Sequence, residues 1–443
     1  MGIKVAKFGG TSLAEAAQIR KVQAIVQSDA ERRYVVPSAP GKRHAQDKKI
    51  TDLLYLCHAH AQQAISFDQV FQIIADRYRQ IVADLALKLD LSPHLMLVKE
   101  RIAATAREGG GPDYAASRGE YLNGLIIAEL LGYDFVDAAD IIVFDAHGRF
   151  DSEATQALTS RRLAQHQRAV VPGFYGAKVD GSIKTFSRGG SDISGAIVAR
   201  GVAAAVYENW TDVNGLLMAD PRIVPDPLPM EVVTYRELRE LAYMGATVLH
   251  DEAIFPVRKA GIPVNIRNTN EPAHPGTMIV RDADPVTHLG SITGIAGRKE
   301  FSVIAIEKAM MNAEVGFGRR LLGVLEDHGI SYEHTPSGID TMSVVVADSQ
   351  IDGKLEKVLA DIRVVCEPDT LEVYPHMALI ATVGRGMAHT PGIAARVFAA
   401  LAEARVNIRM IDQGSSEINI IVGVQNGDFD VAVRAIYAAF VKK

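Results

Sequence analysis

Four short stretches of the chain gather the residue types that hold anions or move phosphate. The first is Lys7-Phe8-Gly9-Gly10-Thr11-Ser12, where the apolar run Ile3 to Phe8 gives way to a helical pattern. Such a junction exposes unpaired N–H groups and the positive end of a helix dipole, and glycines let a phosphate approach the backbone. Lys7 adds a point charge. Ser12 and Glu15 also fit a capping box, in which the glycines only make the turn. No Walker-type G-x-x-x-x-G-K-[ST] sequence occurs. The second stretch, Phe186-Ser187-Arg188-Gly189-Gly190-Ser191-Asp192, supplies close backbone donors, a carboxylate-binding fork and a group to organise charge. Its structural alternative is a helix capped by Ser191. The third, Trp210-Thr211-Asp212-Val213-Asn214-Gly215 with Asp220-Pro221-Arg222, reads as a strand end followed by two turns. Such turns suit a nucleotide at the carboxyl edge of an α/β sheet, although their residues are also ordinary turn formers. The fourth, Ser117-Arg118-Gly119-Glu120, is predicted at the start of a helix running to Leu131, where Ser117 and Glu120 again fit a capping box.

Alternating elements must position these residues. Ile3 to Phe8 reads as a strand, and the following helix carries Ile19, Val22 and Val26 on one face. The pattern recurs with Tyr34 to Val36 before a helix near Thr51, with Ala169 to Val171 before a helix near Ser191, and with Ala203 to Tyr207. Alternation of this kind predicts an α/β fold with a mainly parallel sheet covered by helices on both faces. Asp68 to Gly132 reads as almost wholly helical. After the turn-rich stretch Asn268 to Thr277 the texture changes, which sets a domain boundary near residue 285. Beyond it, two segments of about 75 residues repeat a strand, Gly-containing loop, helix and two strands, the plan of a small βαββ module. The expected domains are therefore 1–285, 290–370 and 371–443.

The bulk properties agree. The 443 residues exceed the roughly 250 to 300 at which a single core stops growing. Hydrophobic residues at 48% and charged residues at 23% are the balance of a globular chain. The net charge of −6 is spread along the sequence, which argues against nucleic acid, and no apolar run suits a membrane span or signal peptide. The expectation is a cytoplasmic protein. Cys57 and Cys366 are too few for a disulfide framework and read as free thiols. Cys57, His58 and His60 sit on a helical pattern whose spacing turns them apart, so no metal site is expected there. Trp210 reads as strand packing and Met310-Met311 as core or interface filler.

In their order and spacing the four stretches resemble the aspartate kinases. Lys7 to Ser12 resembles their K-F-G-G-T-S, Ser117 to Glu120 their S-x-G-E, and Arg188 to Asp192 their R-G-G-S-D. Thr211-Asp212-Val213 and Ala219-Asp220-Pro221-Arg222 are similar to their T-D-V and A-D-P-R. The C-terminal repeat resembles their ACT modules. The resemblance implies an amino acid kinase-like catalytic domain with two ACT-like βαββ modules, using ATP and Mg²⁺ to phosphorylate the side-chain carboxylate of L-aspartate. It implies that Lys7 neutralises phosphate charge, Asp192 organises Lys7, and Gly9 and Gly10 admit the phosphates. Thr51, Glu120 and Arg188 would bind the substrate, Glu120 through its ammonium and Arg188 through a carboxylate. Thr211, Asp212, Asp220 and Arg222 would line the nucleotide pocket.

Two departures accompany the resemblance. Thr247 stands where the family commonly has a lysine, in Gly245-Ala246-Thr247-Val248-Leu249-His250-Asp251, and Gly41 to Lys49 is long and basic, read as a solvated loop. The alternatives are a non-catalytic amino-acid sensor, or a kinase for another small amino acid such as glutamate or N-acetylglutamate. A fused homoserine dehydrogenase is not expected. The tail is expected to bind an effector amino acid, lysine or alternatively threonine, and to build a homodimer or higher homo-oligomer. The loops Asn312 to Arg319 and Met387 to Gly392 would take the effector carboxylate, and Glu314, Asp340 or Asn407 its ammonium.

Overall fold

The computed structural model describes residues 2–187, 189–246, 251–281, 292–388 and 390–441, with the side chains of residues 251 and 252 excepted. Two compact units form. One comprises Met1–Leu216, Glu231–Tyr235 and Val248–Asp284, the other Leu217–Met230, Arg236–Thr247 and Pro285–Lys443.

The first unit is built on an eight-stranded sheet. Its order is Asp134–Phe135, Ala169–Val170, Arg32–Pro37, Lys4–Phe8, Val206–Thr211, Val264–Asn268, Thr277–Val280 and Val232–Thr234. Every neighbouring pair is parallel except Val264–Asn268 with Thr277–Val280. The central strand is buried from Val5 to Phe8, as a parallel strand covered on both faces requires. Its Ala6 and Phe8 join a core with Leu13, Ile19, Leu54, Phe71, Ile102, Leu122 and Trp210. Trp210 is packing, as expected, with Phe8 stacked at 6.0 Å and its ring N–H donated to Glu208 at 2.9 Å.

The helical stretch resolves into Asp68–Asp84, Ser92–Arg107 and Asp113–Leu131. The last of these corrects the expectation for the S-x-G-E stretch. Pro112 at the cap and Asp113 in the first turn start the helix earlier, so Ser117 and Glu120 lie inside it and cap nothing. The capping box at Ser12 also gives way. Gly10–Leu13 forms a separate 3₁₀ turn, the helix Ala16–Gln27 is capped at Glu15, and the Ser12 hydroxyl meets that of Thr269 at 2.8 Å. The helix Gly190–Gly201 is capped by Gly189 at φ 55°, a left-handed position that suits glycine, and not by Ser191.

The second unit carries a five-stranded antiparallel sheet ordered Thr341–Ala347, Gly294–Glu307, Thr370–Val383, Asn419–Gln425 and Met410–Asp412. The modules interleave. The 14-residue strand Gly294–Glu307 shifts register after Arg298; before the shift it pairs with Leu379 to Val383, and after it with Thr370 to Met377 and with Thr341–Ala347. A single cut near residue 285 does not separate the units either. Ala219 and Val224 are buried in the core formed by Ile380, Val397, Ile420 and Phe429, and Glu237 accepts from the Thr293 hydroxyl at 2.6 Å and the Arg385 N–H at 2.8 Å.

Candidate active site

Sheet register sets the centre of the first unit. Lys7 is the one charged residue among the buried positions of its strand, with 7% of its surface exposed, and it lies beside Asn209 of the neighbouring parallel strand. Its ammonium meets Asp192 Oδ1 at 2.5 Å and donates to Asn209 Oδ1 at 3.2 Å. Asn209 donates in turn to the same Asp192 oxygen at 2.9 Å, closing a three-membered network. Asp192 reaches it from the first turn of Gly190–Gly201, where the helix dipole favours a carboxylate. The Tyr207 hydroxyl donates to the Asp192 backbone carbonyl at 3.1 Å and steadies that turn.

Around this network the backbone leaves little room for side chains. A Cβ added to Gly10 would stand 3.0 Å from the Ala39 carbonyl oxygen and 3.2 Å from Gly41 backbone atoms. The Gly41 N–H donates to the Gly10 carbonyl at 2.8 Å, and a Cβ at Gly41 would come within 2.6 to 2.8 Å of Gly10 and Thr11 backbone atoms. Two loops at the carboxyl ends of adjacent strands therefore touch at backbone distance. Ser38 N–H donates to the Phe8 carbonyl at 3.1 Å, and Asn123 donates to the Ser38 carbonyl at 2.7 Å.

Glu120 faces the same loop. It is 5% exposed, and its Oε2 finds no hydrogen-bond partner among the described residues. Burial raises its pKa to about 8, against the opposing pull of the Ala39 and Glu120 N–H groups and the charge of Arg118. The preceding residue has to be small, since a Cβ at Gly119 would meet the Ala39 methyl at 2.8 Å. A buried carboxyl with an unmet oxygen is a receptor for a cation.

The remaining candidates fall as follows. Thr51 is half-buried in the first turn of Ile50–Gln62. Thr211 ends its strand, and its hydroxyl donates to the exposed Asp212 carboxylate at 3.2 Å. Asp220 and Arg222 belong to the second unit, where they pair with each other at 2.6 Å. Arg188 and Thr247 lie outside the described residues. Glu314 is already paired with Lys308 at 2.9 Å and with Arg320, which leaves it a poor effector anchor, whereas Asp340 and Asn407 are exposed. Cys57 and Cys366 are free and buried.

Asn209, Gly41 and Arg77, which binds the Gly41 carbonyl, were not singled out from sequence as site residues. For Asn209 a signal existed: Glu208-Asn209 puts two polar residues between Tyr207 and Trp210 in the buried middle of a strand. For the other two the signal is tertiary.

A model of the amino acid kinase family matches residues 2–268, and one of the ACT domain matches residues 380–440. Over 99% of its length the chain is 40% identical to aspartokinase 3 of Bacillus subtilis, of which 98% is covered. Among solved structures it is similar to the aspartate kinase of Clostridium acetobutylicum, at a TM-score of 0.91 and 54% identity with both chains fully covered. Aspartokinase III of E. coli has been solved with aspartate and ADP and with lysine and aspartate. Both structures are similar at a TM-score of 0.74 and 25% identity, covering 99% of this chain and 99% and 100% of theirs.

Proposed function

We propose, from the premise that this chain belongs to the aspartate kinases of the amino acid kinase family, a division of labour among its residues. The enzyme transfers the γ-phosphate of ATP to the β-carboxylate of L-aspartate, the first step toward the amino acids made from aspartate. The substrate carboxylate is the nucleophile and ADP the leaving group, so no covalent enzyme intermediate is needed.

Lys7, held by Asp192 and Asn209, neutralises charge on the transferring phosphoryl group. The turn at Gly9 and Gly10 admits the phosphates. Glu120 takes the aspartate ammonium on its unmet oxygen, Arg188 a carboxylate in a bidentate fork, and Thr51 touches the substrate from its helix turn. Thr211, Asp212, Asp220 and Arg222 serve the nucleotide. The reaction would also use an Mg²⁺ ion brought in with ATP. That ion would spread charge over the β and γ oxygens.

The observation that carries this reading is the Lys7, Asp192 and Asn209 network at the carboxyl ends of parallel strands, beside a glycine turn that is crowded at Gly10 by the Ala39 to Gly41 backbone. Incubating the protein with MgATP and L-aspartate, glutamate, N-acetylglutamate or a nucleoside monophosphate, and following ADP release, tests it. Release no faster with L-aspartate than with buffer would sink it.

For the second unit we propose an amino-acid sensor that takes lysine, with threonine the alternative, and that joins copies of the chain. Two positions support this. Gly316 at φ 83° and Gly392 at φ 90° cap the helices Phe317–Asp327 and Ile393–Glu403, whose first turns are where a carboxylate would bind. No described helix is long and apolar enough to cross a membrane, and we place the enzyme in the cytoplasm.

A further inference from the structure

The basic stretch Gly41 to Lys49 is solvated along most of its length, but one arginine of the helical insertion holds its two half-buried residues, Gly41 and Asp47. Arg77, on the helix Asp68–Asp84, is 7% exposed and binds three residues in two separate segments. Its Nη1 donates to Asp47 Oδ2 at 2.7 Å, and its Nη2 to the carbonyls of Ala14 at 3.0 Å and Gly41 at 2.5 Å. Ala14 directly follows the 3₁₀ turn Gly10–Leu13. Gly41 is the residue whose N–H binds the Gly10 carbonyl. Both backbone polar groups of Gly41 are thus held, the N–H by the glycine turn and the C=O by the guanidinium.

Asp47 closes the clamp from the loop side. Its Oδ2 also accepts from the Arg43 N–H at 3.0 Å and Nε at 2.9 Å, and its Oδ1 from Arg43 Nη2 at 3.0 Å. These donors hold its carboxyl well below the usual carboxylate range, and the Arg77 charge acts in the same direction. A planar guanidinium satisfies acceptors in several directions at once, which a lysine ammonium on a flexible stem does not reproduce.

We propose that Arg77 is a positioning residue for phosphoryl transfer. Through Gly41, Ala14 and Asp47 it fixes the spacing between the Gly9-Gly10 turn and the Ser38 to Gly41 loop, and so the aim of their donors at the transferring phosphate. The inference rests on reading the glycine turn as the phosphate cradle. Arg77 itself touches no substrate. A displacement of about 1 Å in such a site costs on the order of 10²-fold in rate, and the loss falls on kcat because the donors engage most strongly in the transition state.

The test uses the full-length chain with Arg77→Lys, Asp47→Asn and the double variant, each with melting temperature, ADP binding by calorimetry and steady-state kinetics. Arg77→Lys should lower kcat by about 30- to 100-fold and Asp47→Asn by about 10-fold. The KM for aspartate should stay within about threefold, and ADP binding should be retained. The double variant should be no slower than Arg77→Lys alone, because both changes release one clamp. Wild-type kcat in both single variants, or losses that multiply in the double, would overturn the proposal. A lowered melting temperature with kcat intact per folded molecule would also overturn it, assigning Arg77 to stability alone. Should Arg77→Lys fail to fold, Asp47→Asn on the more exposed loop still decides. If Lys7→Ala keeps wild-type kcat, the cradle reading itself fails; if Lys7→Ala is inactive while the clamp variants are not, only this inference does.

Discussion

With a pKa of about 8, the Glu120 carboxyl holds its proton at pH 7, and an aspartate ammonium placed beside it must drive that proton off. Two consequences can be worked out. Below the pKa, affinity for aspartate should rise tenfold per pH unit and level off above it, so between pH 6 and pH 8 the dissociation constant should fall by roughly 50-fold. Calorimetry at saturating ADP, repeated in buffers of different ionisation enthalpy, should count close to one proton released per aspartate at pH 6.5. The stability of the ligand-free protein runs the other way. The folded-state pKa lies above the ordinary 4.5, so no penalty exists at low pH; it builds as the unfolded chain ionises above about 4.5 and is complete above about 8. At about 1.4 kcal/mol per unit, the shift is worth on the order of 5 kcal/mol in this fully buried group. Glu120→Gln removes that penalty. Its melting temperature should match the wild type near pH 5 and exceed it increasingly toward pH 8.5, while its KM for aspartate rises about 10- to 100-fold through loss of a charge-assisted bond. An aspartate dissociation constant flat from pH 6 to 8.5, with no proton released, would refute the assignment of Glu120 to the ammonium.

Lys7→Ala and Asp192→Asn should each lower kcat by at least about 10²-fold, and Asn209→Ala by less, since Asp192 still holds Lys7; wild-type turnover in Lys7→Ala removes that residue from the chemistry. Gly41→Ala would press a methyl into the Gly10-Thr11 backbone and should cut kcat by about 10²-fold in a folded protein, as circular dichroism can confirm. Arg188→Lys should raise the KM for aspartate more than it lowers kcat, because a point charge replaces a fork. Lysine, or else threonine, should change aspartate kinetics by about 5- to 150-fold in apparent affinity; if neither does, singly or together, the second unit is an assembly element only.

The residues legible from sequence share one property: their chemistry is carried by neighbours in the chain. Lys7 beside Gly9-Gly10, and Asp192 beside Gly189-Gly190, each announce a strand or loop feeding a helix, and the parallel sheet followed from the same alternation. The misreadings arose where a local pattern had two solutions. Ser12 with Glu15 and Ser117 with Glu120 both satisfy the capping box, yet in neither does the serine cap the helix. In the second pair Pro112 had already started the helix, leaving Glu120 free to turn toward Ala39. Interleaving of the C-terminal modules was hidden because the register shift at Arg298 carries no sequence mark, and a strand that serves two modules looks like one that serves either.

What stayed invisible is what tertiary register decides, and here the helical insertion shows why the catalytic centre is more than its motifs. Lys7 meets Asn209 because two parallel strands align at that residue, and Gly41 meets Gly10 because the next strand ends level with it. Strand register alone leaves the loops beyond the strand ends with freedom that chemistry on a scale of tenths of an ångström does not tolerate. The insertion removes it from outside the sheet: Arg77 and the Tyr78 hydroxyl, adjacent on one helix, bind the Gly41 carbonyl and the Gly119 carbonyl at 2.5 and 2.7 Å. One helix therefore steadies both the loop beside the phosphate turn and the helix that carries Glu120. Removing both contacts at once should disturb phosphate geometry and aspartate recognition together, whereas a change at Arg77 alone disturbs the first and a change at Tyr78 alone the second.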